Sequence, residues 1–272
     1  MTRILRGMTI GIIGSGKMGQ ALIKGLLAQG IAPAAVCASD ADAARRREVR
    51  RRFRVWVTDD NGTIGRACDV LVLAVKPQQF PEVVPALERS FRRRPLVVSI
   101  AAGVTLRWLE ARLPKVPVIR VMPNLLATVG RAFSAIAAGR SATARHRAIA
   151  RALFGAVGEV VELPERTFDA VTAVSGSGPA YVFFLVRAWE EAARALGLPP
   201  VVASRAIRAT LAGSGALLEA SGTSADTLIS QVASKGGTTE AALTVLQRQR
   251  VQAHIIEALR AAAKRSKQLA WE

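Results

Sequence analysis

Cysteine and histidine are nearly missing from this sequence. Two of each, Cys37 and Cys68, His146 and His254, are spread over 272 residues. A disulfide framework needs several cysteines, and a zinc site needs Cys and His ligands at short spacings, so no disulfide and no metal is expected. The two thiols are expected to be buried and reduced. Aromatic residues make up only 5% and are not interleaved with basic ones, which speaks against a stacking platform for single strands. No uninterrupted apolar run comes near the ~18–20 residues of a membrane span. The longest cover residues 70–75 and 180–186. Residues 1–13 place two arginines before a short apolar stretch that runs straight into a glycine loop. That order reads as a first strand and not as a signal peptide, so a soluble, cytoplasmic protein is expected.

Negative charge is the other shortage. Asp and Glu number 20 against 38 Lys and Arg, a net charge of +18, with arginines clustered at 45–47, 50–52 and 92–94. Such a field attracts anions, nucleic acid among them. No helix-turn-helix or zinc-finger pattern accompanies it. The clusters are read as solvated helix faces and loops, and neither nucleic acid nor membrane is expected as a partner. A dinucleotide and a carboxylate substrate would benefit from the same positive potential.

Apolar residues make up 50% of the chain, enough for one large core or two small ones. Short apolar runs at residues 9–13, 35–38, 55–58, 70–75, 96–100, 118–121, 134–138 and 157–163 read as strands. Helical spacing marks 18–29, 42–52, 83–91 and Leu106–Arg112 between them. This alternation predicts an α/β fold with a Rossmann-type, doubly wound parallel sheet. The pattern changes near Pro164. From there 168–174, 180–196, Pro200–Ser221, 225–230 and 240–266 all read as helices, separated by Gly, Pro and Ser. The expected domains are 1–163, binding a dinucleotide, and an all-helical 164–272, binding substrate and dimerising. Residues 180–186 are apolar all round, as is most of 201–218 apart from Arg205 and Arg208. One small helical layer cannot bury that surface, so at least a homodimer is expected.

The first strand leads into Gly14-Ser15-Gly16-Lys17-Met18-Gly19 and a helix follows. This is Gly-x-Gly-x-x-Gly in its required setting. The first glycine permits the tight turn, the second lets the backbone approach a pyrophosphate, and the third lets helix and strand pack closely. Residues 11–17 also read Gly-x-x-x-x-Gly-Lys, but Met18 stands where a P-loop needs Ser or Thr on magnesium, so an NTPase is excluded. Ser39 and Asp40 end the second strand, about 20 residues past the fingerprint, where an acid holds the adenosine ribose of NAD. Asp40 opposes a 2′-phosphate, whereas Ser39 and the arginines at 45–47 favour one. NADP is the expected cofactor and NAD the alternative. Asp40 also reads as the N-cap of the charged helix.

Hydroxy-acid dehydrogenases of this organisation supply a lysine base early in the first long helix of the helical domain. Here that helix follows Ser175-Gly176-Ser177-Gly178-Pro179 and has no lysine, histidine or carboxylate until Glu190. A substrate that is already an iminium needs no such base and accepts hydride directly. Further on, Ser234-Lys235-Gly236-Gly237-Thr238-Thr239 opens another helix. Two glycines there leave amides accessible for a carboxylate, and the threonines add hydroxyls. A simple capped helix start is the alternative reading.

At these residues the chain resembles the pyrroline-5-carboxylate reductase family over essentially its full length. The likeness rests on Gly14 to Gly19, Ala74-Val75-Lys76-Pro77, Val98-Ser99-Ile100-Ala101-Ala102-Gly103-Val104 and Val121-Met122-Pro123-Asn124. It continues through Ala173-Val174-Ser175-Gly176-Ser177-Gly178-Pro179-Ala180-Tyr181, Ser234 to Thr239, and Ala241-Ala242-Leu243. The resemblance implies hydride transfer from NAD(P)H to the imine carbon of 1-pyrroline-5-carboxylate, giving L-proline. A related cyclic imino acid is the alternative substrate, and an NAD(P)-binding sensor or a nucleic-acid-binding protein using the arginine surface the alternative class. It implies that Ala74, Val75, Lys76, Pro77, Ala101, Ala102, Gly103 and Asn124 lie along the cofactor. Gly236, Gly237 and Thr238 would bind the substrate carboxylate, and Thr239, with Ser234, would orient the ring nitrogen. Two positions depart from the family pattern. Leu125-Leu126 stands where Thr-Pro is usual, and Lys235 where many members have Pro.

Overall fold

The computed structural model describes residues 2–271. Met1 and Glu272, which the expected domains include, lie outside the described residues. Eight strands form one sheet: β1 (Ile10–Ile13), β2 (Val36–Ser39), β3 (Trp56–Thr58), β4 (Val70–Leu73), β5 (Leu96–Ser99), β6 (Val118–Met122), β7 (Ala132–Ala138) and β8 (Gly158–Glu162), in the order β3-β2-β1-β4-β5-β6-β7-β8. Strands β1 to β6 are parallel. The central strands β1 and β4 are continuous apolar runs because both of their faces are covered. Ile10 and Ile12 enter one buried cluster and Ile13 the other, and Val70 and Val72 separate from Leu71 and Leu73 in the same way. The chain order reverses between β1 and β4, the place where doubly wound sheets bind ligands at their carboxyl ends.

The last part of the sheet departs from the parallel pattern. Strand β7 runs antiparallel to β6, and β8 follows β7. Residues 123–131 are too few for a crossover, which takes about a dozen or more. They make instead a 3-10 turn, Leu125–Val129, ended by Gly130 at φ 73°.

Helices α1 (Lys17–Ala28), α2 (Ala43–Phe53), α3 (Asn61–Ala67), α4 (Phe80–Glu88), α5 (Leu106–Arg112) and α6 (Ala144–Gly155) complete this layer. Neither α3 nor α6 was expected from the sequence. Each starts at a filled cap: Asp60 accepts from the Gly62 amide at 2.7 Å, and Thr143 from the His146 amide at 3.4 Å. Cys37 and Cys68 are both buried with their sulfurs 3.1 Å apart. A Cβ at Gly11 would lie 3.0 Å from the Cys68 sulfur, so the glycine makes their room.

Helices α7 (Phe168–Val171), α8 (Gly178–Ala195), α9 (Pro200–Ser221), α10 (Ala225–Val232), α11 (Thr238–Arg248) and α12 (Val251–Gln268) follow. The helix expected over 168–174 is α7 plus a π-helical turn, Thr172–Gly176. The single helix expected over 240–266 is two helices, parted at Arg250, whose φ is 54°. The described residues divide into two compact units, 2–179 with 262–271, and 180–261. Strands stop at Glu162, but packing onto the sheet does not, because Phe168 is buried in its core. In the second unit only Ala203 and Ile207 are buried among the described residues. The continuous stretch Glu165–Ala195 is long and apolar enough to cross a membrane by length and composition alone. It exceeds the short apolar runs noted in the sequence because it also counts small polar residues such as Ser175 and Ser177.

Candidate active site

The carboxyl ends of β1, β2, β4, β5 and β6 bring most of the expected site residues to one rim. After β1, Gly14 takes φ 93°. A Cβ there would lie 2.9 Å from the carbonyl carbon and oxygen of Ala74, so the turn requires glycine. A Cβ at Gly19 would collide with the Gly14 carbonyl, which explains the close packing of α1 on the strand. Gly16 is the N-cap of α1, provides no side-chain cap and faces open space. The first-turn amides of α1 therefore stay available to an anion. Lys17 is exposed and Met18 half-buried beside them. This cradle fits a dinucleotide pyrophosphate.

The end of β2 is more connected than the sequence implied. The Asp40 carboxylate accepts from the Ser15 amide at 2.9 Å, the Ser15 hydroxyl at 3.0 Å, the Asp42 amide at 3.0 Å and Arg45 at 3.2 Å. Burial pushes this carboxyl up, but the amides of Asp42 and Ser15, the Ser15 hydroxyl and Arg45 outweigh it and hold it below the usual range. Arg46 donates to the Asp40 carbonyl at 2.7 Å, and the Ser39 hydroxyl to Asn61 at 2.6 Å. The N-cap of α2 is Asp42 and not Asp40: Asp42 accepts from the Ala44 and Arg45 amides. Asp40 instead braces the glycine loop from the neighbouring strand.

After β4, the Ala74 amide donates to the Ile13 carbonyl at 2.7 Å and continues the ladder. Val75 is half-buried and Lys76 exposed, and Pro77 opens a 3-10 turn, Pro77–Gln79. After β5, Ala101 is buried, Ala102 exposed, and Gly103 turns the chain at φ 80°. After β6, Asn124 is buried. Its amide nitrogen donates to the Ser175 hydroxyl at 3.0 Å, and its oxygen accepts from the Leu126 amide. Ser175 belonged to a quoted motif but carried no role, because nothing in its spacing reveals Asn124 as its partner.

Ser234, Gly236, Gly237, Thr238 and Thr239 belong to the other unit. Gly237 is the N-cap of α11 and gives no side-chain cap. Gly236 turns at φ 73°, its amide bonded by Glu240. A Cβ on Gly237 would lie 2.5 Å from the Ser234 hydroxyl. Helix α10, by contrast, starts at Ser224, which fills its own first turn. The first turn of α11 is left without a side-chain cap, while the Gly237 amide donates to the Ser234 carbonyl at 3.0 Å.

Residues 9–103 match the family described as NADP oxidoreductase coenzyme F420-dependent, and residues 165–269 match pyrroline-5-carboxylate reductase dimerisation. A pyrroline-5-carboxylate reductase of Synechocystis is 40% identical over 261 residues, covering 96% of this chain and 97% of that protein. The solved structure of the Coxiella burnetii pyrroline-5-carboxylate reductase superposes with a TM-score of 0.91 at 32% identity, over 97% of this chain and 99% of that one. A Plasmodium falciparum pyrroline carboxylate reductase, solved with NADP bound, shares the fold with a TM-score of 0.88 at 24% identity, over 97% and 99%. The chain belongs to the pyrroline-5-carboxylate reductase family.

Proposed function

We propose that this protein reduces 1-pyrroline-5-carboxylate to L-proline with NADPH as the donor. The observation that carries the reading is the start of α11, where Gly237 leaves the first turn without a side-chain cap beside the hydroxyls of Thr238 and Thr239, in a chain whose dinucleotide loop is intact. Gly236, Gly237 and Thr238 hold the substrate carboxylate. Thr239, helped by Ser234, orients the ring nitrogen, and Lys235 adds a cation nearby. Gly14, Ser15, Gly16, Lys17, Met18 and Gly19 cradle the pyrophosphate. Ser39, Asp40 and the adjoining arginines face the adenosine end. Ala74 to Pro77, Ala101 to Gly103 and Asn124 serve the nicotinamide side.

The bound reduced nicotinamide supplies the hydride that the imine carbon accepts. No acid or base of the chain is needed at that carbon, because the imine nitrogen is protonated before it reacts. The first part of α8 carries no lysine, histidine or carboxylate before Glu190 to serve as one. The residues act by positioning and by charge, terms that account for much of the catalysis of such transfers.

The protein works as a homodimer or larger homo-oligomer in the cytoplasm, joined through residues 164–272, with residues 1–163 as the dinucleotide-binding domain. It uses no nucleic-acid or membrane partner. The matched dimerisation family and the exposed apolar helices support this assembly. Turnover of 1-pyrroline-5-carboxylate with NADPH, followed by cofactor absorbance and proline release, tests the activity. Absence of turnover overturns it, and faster turnover of a six-membered cyclic imino acid replaces the substrate.

A further inference from the structure

We propose that the segment after α12, residues 269–271, is a positioning element of the cofactor site. Trp271 adds to the β5–α5 loop as a strand would. Its amide donates to the Gly103 carbonyl at 2.8 Å, and it bridges Val104 in parallel. Its carbonyl accepts from the Thr105 hydroxyl at 2.7 Å. That same hydroxyl is the N-cap of α5 and accepts from the Trp108 amide at 3.1 Å. One side chain thus joins the start of α5 to the last described residue.

The contact is built into the loop sequence. Gly103 sits at φ 80°, and a Cβ there would collide with the carbonyl oxygen of Leu269. The Trp271 ring meets Trp108 edge-on with centroids 5.2 Å apart, and Trp108 meets Phe80 at 6.2 Å. Phe80 is fully buried and directly follows the turn Pro77–Gln79. The aromatic row therefore links Trp271 to both loops assigned to the nicotinamide side, the β5–α5 loop directly and the β4–α4 loop through Trp108. The end of α12 is anchored independently, where Ser266 donates to Asp169 at 2.7 Å. Without residue 271, the Gly103 carbonyl loses its donor and the Thr105 hydroxyl the acceptor of its hydrogen, and a loop that turns at a left-handed glycine gains backbone freedom.

The inference rests on the reading of residues 101–103 as nicotinamide-side residues, and its test separates the two. The full chain is compared with a chain ending at Leu269 and with Trp271→Ala, Trp271→Phe, Thr105→Val and Thr105→Ser. The readouts are the NADP+ dissociation constant by calorimetry, kcat and both KM values, Tm, and amide exchange of 101–105 with and without NADP+. Trp271→Ala and Thr105→Val are expected to raise the NADP+ dissociation constant about 5- to 10-fold, the size of one lost ordering contact, and to speed exchange of the free loop. The KM for the imine should stay within about twofold, and Trp271→Phe and Thr105→Ser should restore most of the cofactor affinity. If NADP+ protects 101–103 in the full chain while the shortened chain binds it within about twofold, the positioning role is overturned and the loop assignment stands. If Tm and both KM values change together and neither conservative variant rescues, the segment is merely structural and the proposal fails. If NADP+ does not protect 101–103 in the full chain, the loop assignment falls and the proposal with it.

Discussion

The sheet unit and the helical unit treat similar raw material in opposite ways. In residues 2–179, strands β1, β2, β4 and β5 are wholly buried, and Phe80, Phe154 and Phe168 are sealed in the core. In residues 180–261, Phe183 and Phe184 are 59% and 61% exposed, and Val182, Leu185 and Trp189 share helix α8 with them. A strand between two helical layers is covered on both faces by its own chain. A helix apolar on more than one face, in a single layer, is not. The difference fits the proposed assembly, in which the helical unit completes its core with another copy, and the unit lies within the match to the dimerisation family.

The sharpest way to break this comparison is to charge the open face. Phe183→Asp with Phe184→Asp is expected to weaken self-association at least about 1,000-fold, since each buried phenylalanine contributes about 2–3 kcal/mol and the new carboxylates add a desolvation cost. Light scattering coupled to size exclusion should give the monomer mass at micromolar concentration. An unchanged mass would put the interface elsewhere.

A paired truncation sharpens it further. Phe154→Ala should cost about 3–5 kcal/mol, because a fully buried ring leaves a cavity in a packed core. Its loss of Tm should not depend on protein concentration. Phe184→Ala should lower Tm in a way that shrinks as concentration rises, as expected where folding and association are linked. Identical concentration dependence for both would remove the contrast between the units.

The same contrast explains what the sequence disclosed. Alternation of apolar strands and amphipathic helices was legible because the central strands bury both faces; α5 and α9 have the limits their spacing predicted. The glycine fingerprint was legible because each glycine answers a local steric demand. The turn of β7 against β6 was not, although the nine residues between them held the clue. The break at Arg250 was hidden, because an arginine at left-handed φ has no signature. Partners distant in sequence stayed invisible: Asp40 with Ser15, Asn124 with Ser175, Gly103 with Trp271. Composition does not encode such pairs, and one chain alone offers no covariation from which to infer them.

The two glycine-capped helix starts, one per unit, allow a separation by function. Thr239→Ala is expected to lower kcat/KM for the imine at least about 10-fold, the size of one hydrogen bond to a charged partner, with little change in NADP+ affinity. Gly14→Ala should do the reverse, since a methyl against the Ala74 carbonyl distorts the cofactor loop. Steady-state kinetics with a parallel NADP+ titration checks both. An unchanged kcat/KM in Thr239→Ala would remove its proposed role.

The smallest effect concerns Asp40, an acid of the sheet unit beside the glycine loop. Its carboxyl is held below the usual range, so the stability it lends is present above the unfolded pKa of about 4 and is lost as pH falls through the lower folded value. Asp40→Asn should therefore narrow the difference in stability between neutral and acidic solution, read by denaturant melts across that window. At neutral pH the same carboxylate is shared by Ser15 and Arg45, so its negative charge is partly neutralised before any cofactor arrives. NADPH is accordingly expected to be preferred over NADH, with kcat/KM measured for each. Asp40→Ala should raise the NADPH-to-NADH ratio only about 2- to 5-fold, because removing a partly screened like charge gains little and the Ser15 loop loses its brace. A wild-type preference for NADH that moves towards NADPH in Asp40→Ala would reverse the assignment. Asp40 would then release Ser15 and Arg45 to hold the ribose hydroxyls itself.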